Sequence, residues 1–496
     1  MSTYWLGVDI GTGGSRALLL DANGKEAAAV SVPHQDMTMH QPLWAEQDPG
    51  DWADAAFVAI RGALAAAGAS GKEIRGVGVS GQMHGLVILD RDHQVIRPAL
   101  IWCDQRSQPQ VDWINEHLGD SKMLEWTANP VLTGFTLPKL LWVRDHEPQQ
   151  FARVRHLLLP KDYVRFRLTG ELATDVSDAS GTALFDVARR RWSLEAADGL
   201  GLDRSILPTA YESSDVTGTI SEEAAKMTGL AAGTPVAGGG GDQASGAVGN
   251  GIVQPGAVSC TLGTSGVVFA HMEEVVYDPQ GRVHTFCHAV RDKWHVMGVT
   301  QGAGLSLQWF RNQLAPGVSY DELLAEAAQS PPGAHGLYWI PYLMGERTPH
   351  LDAAARGGWI GLTAKHTRAD LIRALIEGIS YSQKDGLDLI AAMGVNAASV
   401  RASGGGARSR VWRQILADVF GTPVATLASQ EGAALGAAIL AMVATGEYTS
   451  VPEACEAIVR DQETVEPRRE EVRIYAAGHA VYRSLYPALK PLFPMM

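Results

Sequence analysis

Four glycine clusters, each directly behind a short apolar run, constrain this chain more than any other feature. They are 11–14 (GTGG), 238–241 (GGGG), 263–266 (GTSG) and 404–406 (GGG). The runs ahead of them, at 4–10, 235–237, 257–262 and 398–402, read as strands. Glycine behind a strand supplies positive φ and lets a backbone approach a ligand closely. Successive amides in such a turn form a concavity suited to an anion. A tight turn without a ligand is the alternative for any one cluster, because a short glycine motif alone is a weak signal.

Two clusters repeat each other. Residues 10–14 read IGTGG and 262–266 read LGTSG, and each is followed by a second apolar run, Ala17 to Leu20 and Val267 to Ala270. The pattern is strand, Gly-Thr turn, strand, which makes hairpins rather than strand-to-helix loops. Two like hairpins about 250 residues apart imply two related domains facing each other. Their hydroxyls and turn amides could then hold a polyphosphate from both sides.

Around them strands alternate with helices, the mark of an α/β fold. Residues 15–20 and 25–32 extend the first hairpin around a turn at 21–24, and 74–80 and 86–89 read as further strands. Asp48 followed by Pro49 opens a helix to about 67. Helices are also expected at 138–146, 161–168, 221–229, 302–314, 319–329, 367–391, 408–420 and 431–445. Thr367 with Asp370 resembles a capping box. The boundary is placed near 243–256, giving domains 1–248 and 255–496. The charged stretch 460–475 reads as a surface segment before a final helix.

Composition narrows the function. Forty-one Lys and Arg against 54 Asp and Glu leave a charge of −13, which argues against nucleic acid as the main partner. Cys103, Cys260, Cys287 and Cys455 are too scattered for a disulfide framework. No signal peptide is read at the N-terminus. The most membrane-like run, 432–446, is about 15 residues long, short of the ~20 that a spanning helix needs. A soluble cytoplasmic protein with reduced thiols is expected, with no membrane partner.

Several familiar motifs fail. No GxxxxGK[ST] occurs. The GxGxxG of residues 76–81 should open a helix, but another strand follows it at 86–89, so the dinucleotide reading is weak. His284, Cys287 and His288 suggest metal ligands, yet their neighbours are apolar and aromatic and no second ligand pair stands nearby. Packing or a substrate wall suits them better.

Two carboxylates remain. Asp9 ends the first strand directly before GTGG, and Asp242 follows four glycines at the start of an apparent helix. A carboxylate beside a phosphate-cradling turn suits Mg²⁺, usually through water. One on a glycine-rich connection between domains can meet a substrate hydroxyl in the cleft. The helix start should keep Asp242 ionised. A plain N-cap and a plain turn residue are the alternatives.

Taken together, DIGTGGSR (9–16), GFTLPKLLWVRDH (134–146), GGGGDQASGAVG (238–249), TLGTSG (261–266) and GGGARSRVWRQ (404–414) resemble the FGGY carbohydrate kinases over almost the whole chain. In GFTLPKLLWVRDH, Lys139 and Trp142 stand in register with the family signature. SGQMHG (80–85), LLPKDYVRFRLTGE (158–171), HTFCH (284–288) and PYLMGERTPH (341–350) resemble the branch that acts on xylulose. The resemblance implies two RNase H-like domains of the actin, hexokinase and Hsp70 type, with ATP and sugar between them. It implies that Asp242 is the general base for a sugar hydroxyl and that Asp9 holds Mg²⁺.

The remaining roles carry over position by position. Thr12, Gly13, Arg16 and Thr264 would line the phosphate path, with Gly304 and Gln308 near the nucleotide. Gly405, Gly406 and Arg410 would face the adenosine. Met83, His84, Trp102, Asp104 and Gln243 would contact the sugar. Core filling for Met83, a satisfied turn residue for His84 and a core aromatic for Trp102 are the structural alternatives. The implied reaction is ATP-dependent phosphorylation of D-xylulose, the sugar sitting mainly on the first domain, and a homodimer is compatible with it. Kinases for ribulose, glycerol or arabitol share these motifs, since Gln243 also matches glycerol kinases. A nucleotide switch of the actin or Hsp70 kind is the alternative of another class.

Overall fold

The computed structural model describes residues 3–496. Two seven-stranded mixed sheets organise it. In the first, Tyr4–Ile10 runs antiparallel to Gly14–Asp21 and parallel to Ile74–Gly81, with Glu26–Pro33 at one edge and Pro235–Ala237 and Val216–Thr219 toward the other. In the second, Ala257–Leu262 runs antiparallel to Gly266–Met272 and parallel to Ser399–Ser403. The same local arrangement, a central hairpin with a parallel strand on its far side, is thus built twice. This is the two-domain α/β architecture expected from the paired Gly-Thr hairpins.

Tyr4–Ile10 is covered on both faces, which its near-continuous apolar run requires. Leu6, Val8 and Ile10 point to one side and pack with Trp52, Phe57 and Ile60 of helix Pro49–Ala67. Asp48 caps that helix by accepting from the Gly50 amide at 2.8 Å. Trp5, Gly7 and Asp9 point the other way. There the cover comes from far along the chain: helix Gly432–Ala444, whose Ala434, Leu435 and Ala438 share a core with Trp5, Leu18 and Leu20. The Trp5 indole donates to Thr445 Oγ1 at 2.8 Å.

Glycine makes this contact possible. A methyl group on Gly7 would lie 1.9 Å from the Ala434 carbonyl oxygen, and one on Gly78 1.9 Å from that of Ala437. Gly436 of the same helix meets the Ser245 carbonyl of helix Asp242–Gly249 equally closely, at 1.8 Å. The GxGxxG of residues 76–81 is therefore a strand whose glycines admit a helix, and no nucleotide loop forms there. The apolar run 432–446 is apolar because both sheet and neighbouring helix bury it. No helix among the described residues is long and apolar enough to cross a membrane.

The charged stretch 460–475 lies mostly exposed, as the surface-segment reading expects, but it holds a strand that the reading did not assign. Asp461–Val465 is the edge strand of the second sheet, antiparallel to Val424–Leu427, and the final helix begins at Arg469. Within that edge strand only Val465 is buried. An edge strand carries charge because that discourages pairing with another chain, and this hid the strand from a reading based on apolar runs.

Candidate active site

Strand register brings Asp9 and Asp242 together. Asp9 pairs with Ser80 on the neighbouring parallel strand, and Ser80 pairs with Gly240 on the next. Asp242 follows Gly241 directly, so the two carboxylates project from strands two spacings apart, about 10 Å between backbones. Asp9 Oδ1 is buried with no hydrogen-bond partner. Burial pushes the Asp9 carboxyl up, partly offset by the Ser80 hydroxyl and the Arg16 charge. Burial first, and the Asp9 charge second, push Asp242 up to about 7, against the amide and side chain of Gln243. The expectation that a helix start keeps Asp242 fully ionised is thus corrected: desolvation and a like charge outweigh the helix dipole.

A buried charge cluster supports the glycine strand before Asp242. Lys161 contacts Asp162, Asp175 (2.9 Å) and Asp178 (3.8 Å), all fully buried. The Ser177 hydroxyl donates to Asp175 at 2.6 Å and accepts from the Gly241 amide at 3.3 Å. Met83 lies beneath the same strand, 2.6 Å from where a Gly241 side chain would begin, and is only 3 % exposed. It forms the floor and offers little surface to a ligand.

The first Gly-Thr turn is tied to the cleft wall. The Trp102 indole donates to Thr12 Oγ1, and the Thr12 carbonyl accepts from Gln47 Nε2 at 2.8 Å. Trp102 is 43 % exposed, so one face is free. Gly13 has open space where a side chain would stand. Arg16 shares the Asp9 face, being its cross-strand partner, but its guanidinium is bound by Glu431. That pair joins the first hairpin to the start of helix Gly432–Ala444.

His84 takes a left-handed backbone (φ 69°), uncommon for a residue with a side chain. Its carbonyl accepts from Thr136 Oγ1 at 3.1 Å and Lys139 Nζ at 3.2 Å. Lys139 is fully buried, also donates to the Gly134 and Phe135 carbonyls, and has its pKa lowered to about 7 by that burial. The His84 ring stacks on Phe135 with centroids 4.8 Å apart. Burial lowers its pKa to about 3, so the imidazole is neutral.

Asp104 does not reach the cleft. It is fully buried, accepts from the Ala45 amide at 2.7 Å, and is paired with Arg106 at 2.7 Å. The turn after Trp102 directs it into a network with Glu46 instead. Its assignment as a sugar contact is withdrawn. Gln243 is partly buried beside Asp242.

On the second sheet, three motifs converge. The Gly304 and Leu305 amides donate to the Gly263 and Thr264 carbonyls at 2.8 and 3.1 Å, seating helix Ala303–Leu314 on the second hairpin. Gly304 itself is occupied by that packing. Thr264 and Gln308 are exposed. The 404–406 turn rests on Leu262, with Gly406 packed against its side chain and Gly405 open. Arg410 is largely exposed and lies 3.4 Å from Glu463. Beside this turn is a cavity of about 600 Å³, lined by Gly404, Gly405, Arg408, Gln430, Gly432 and Asn250 among others. Asn250 directly follows helix Asp242–Gly249. One short helix, about 12 Å long, thus carries the candidate base at one end and borders the cavity at the other.

The sequence reading missed two participants: Glu431, which holds Arg16, and Arg347, whose charge reaches His84. Arg347 lay in a quoted motif but had no periodicity to give it a role, whereas His284, read as packing or a substrate wall, packs near Phe135 and His84. His284, Cys287 and His288 form no metal site, and no cluster of potential metal ligands occurs among the described residues. Cys287 Sγ contacts the Val187 carbonyl, and His288 pairs with that of Ile252.

Residues 4–249 match the N-terminal domain, and 258–445 the C-terminal domain, of the FGGY family of carbohydrate kinases. The chain is 40% identical over 489 residues to a xylulose kinase of Bacillus subtilis, covering 99% of this chain and 98% of that one. It is 40% identical over 497 residues to a xylulose kinase of Escherichia coli, covering 98% and 99%. Among solved structures, a xylulose kinase from Rhodospirillum rubrum is similar at a TM-score of 0.92 with 31% identity, over 99% of each chain. Carboxylates meeting beside paired Gly-Thr hairpins and full-length similarity lead to the same place: the chain belongs to the FGGY family of carbohydrate kinases.

Proposed function

We propose that this kinase transfers the γ-phosphate of ATP to the 5-hydroxyl of D-xylulose. The observation that carries the mechanism is Asp242, raised toward neutrality beside Asp9, the residue whose strand leads into the Thr12 turn. The sugar identity is supported by the names of the full-length relatives.

Asp242 orients the acceptor hydroxyl and takes its proton. A base titrating near the working pH both holds enough of its deprotonated form and accepts the proton readily. Amides of the Thr12–Gly13 turn and of the Thr264 turn receive the phosphates from opposite sides, and the cavity beside Gly405 takes the adenosine. Mg²⁺ fits Asp9, whose buried Oδ1 lacks any other partner and offers the hard oxygen this ion prefers. When bound, the ion would neutralise charge on the transferring phosphoryl group. Trp102 and His84 wall the sugar and help exclude water, which would otherwise waste ATP. We assign sugar binding mainly to residues 1–248 and nucleotide binding mainly to 255–496, with closure between them aligning the substrates. A cytoplasmic homodimer is the setting this reading carries.

The test is ADP release over a panel of ketoses and polyols (xylulose, ribulose, glycerol, arabitol), with a no-sugar control. Strong stimulation by xylulose supports the assignment. Equal rates without sugar would favour a nucleotide switch instead. Asp242→Asn should lower turnover by at least about 10³-fold while ADP binding persists.

A further inference from the structure

We propose that Arg347 is a specificity-determining residue of this kinase, donating from the second half of the chain to the carbonyl end of the ketose while His84 accepts from the hydroxyl beside it. This deepens the reading above and rests on it.

The guanidinium of Arg347 is partly buried and has no hydrogen-bond or ion-pair partner in the protein, among the described residues. Its charge bears on His84 and His284, and its Nη2 lies 3.9 Å from where a side chain on Gly134 would begin. Gly134 in turn adjoins the Trp102 carbonyl. Arg347 therefore stands over the Trp102 and His84 wall, although it comes from the loop after strand Tyr338–Ile340. Its own backbone is fixed from below: its amide donates to buried Glu346 Oε1 at 2.8 Å, which also accepts from Gln301 at 2.7 Å. A guanidinium on a held backbone, bonded to no protein acceptor and open to the cleft, is able to donate to a bound carbonyl.

The tautomer of His84 supplies the complement. Its Nδ1 sits 2.8 Å from the Gly181 carbonyl, which can only accept, so Nδ1 carries the hydrogen. The ring is neutral, leaving Nε2 a bare acceptor on the edge away from Gly181. One site thus pairs a donor that cannot accept with an acceptor that cannot donate. In the proposed pose Arg347, whose guanidinium lies against Gly134 beside the Trp102 carbonyl, serves the end of the substrate remote from the transferred phosphate. In a 2-ketose phosphorylated at the far terminus, that end holds a carbonyl, which only accepts, next to a hydroxymethyl group, which donates. A pentitol would place an extra hydroxyl hydrogen against the guanidinium with no acceptor for it.

The experiment compares wild type, Arg347→Ala and Arg347→Lys in ADP release with D-xylulose and with xylitol, thermal unfolding serving as the folding control. Arg347→Ala should raise KM for xylulose at least about 30-fold, with kcat and the ATP KM within about threefold. The xylulose-to-xylitol preference should shrink at least tenfold. Millimolar guanidinium ion should partly restore the xylulose KM of Arg347→Ala, which a merely structural role would not permit. Arg347→Lys should fall between the two. An unchanged KM, or a preference that survives the substitution, overturns the inference while leaving the kinase assignment standing. Wild type that ignores xylulose altogether overturns both.

Discussion

The indole Nε1 of Trp102 donates to the Thr12 hydroxyl at 2.9 Å, joining the proposed sugar wall to the turn proposed to receive phosphate. The Thr12 hydroxyl also lies 3.4 Å from Gln82 Oε1, and Gln82 donates to Gln47 at 3.1 Å. Under the proposed function, a sugar that presses on Trp102 presses on the Thr12 turn through a short polar chain.

This coupling is measurable with a double-mutant cycle. Trp102→Phe keeps an aromatic face and loses the donor, and Thr12→Val keeps the shape and loses the acceptor. Each should raise the KM of both ATP and sugar. The two effects should fall short of additivity by roughly 0.5–1.5 kcal/mol. Strict additivity in kcat/KM would mean that the bond carries no coupling.

The glycines should separate cleanly by substitution. Gly7→Ala forces a methyl into the Ala434 carbonyl and should cost at least about 3 kcal/mol in urea unfolding. Gly13→Ala meets open space and should leave the unfolding midpoint nearly unchanged. It should instead weaken ATP use, by holding phosphate away from the turn amides. Equal stability losses in the two variants would contradict the division.

Acid should destabilise the protein through its buried histidines. His295 is fully buried, stacks on Phe269 at 4.2 Å, and adjoins His271, His284 and His288. Burial first, then His271, lowers its pKa to about 3. In the unfolded chain a histidine titrates near 6.5. Below that pH the unfolded state binds a proton that the folded state refuses. Stability is thus intact above about 6.5 and falls by about 1.4 kcal/mol per pH unit, per histidine, until about pH 3. His295→Gln should make the slope of urea-unfolding stability between pH 6 and 4.5 shallower by about one proton, and an unchanged slope would show that His295 takes no part.

Local signals explain what could be read in advance. Strand, turn and helix chemistry located both Gly-Thr hairpins, the helix capped by Asp48, and the strand at 235–237, while the glycines read as a connection ahead of Asp242 include the short strand Gly240–Gly241. Asp104 misled because a carboxylate two residues past an exposed tryptophan looks the same in sequence whether it faces a cleft or Arg106. The Asp242 pKa misled because the local cue, a helix start, is opposed by burial and by Asp9, 233 positions away. Glu431 and Arg347 were out of reach for the same reason: their partners are set by topology, which no short pattern records.

The cover that helix Gly432–Ala444 gives the first sheet also bears on how the protein is made. During synthesis, Trp5, Leu18 and Leu20 leave the ribosome more than 400 residues ahead of the helix that shields them. Until that helix emerges, one face of the first sheet stays bare to solvent and to other nascent chains. The N-terminal half therefore cannot complete its burial as an independent early product. Growing chains should depend on holding factors until that helix emerges, and chains truncated before residue 432 should aggregate.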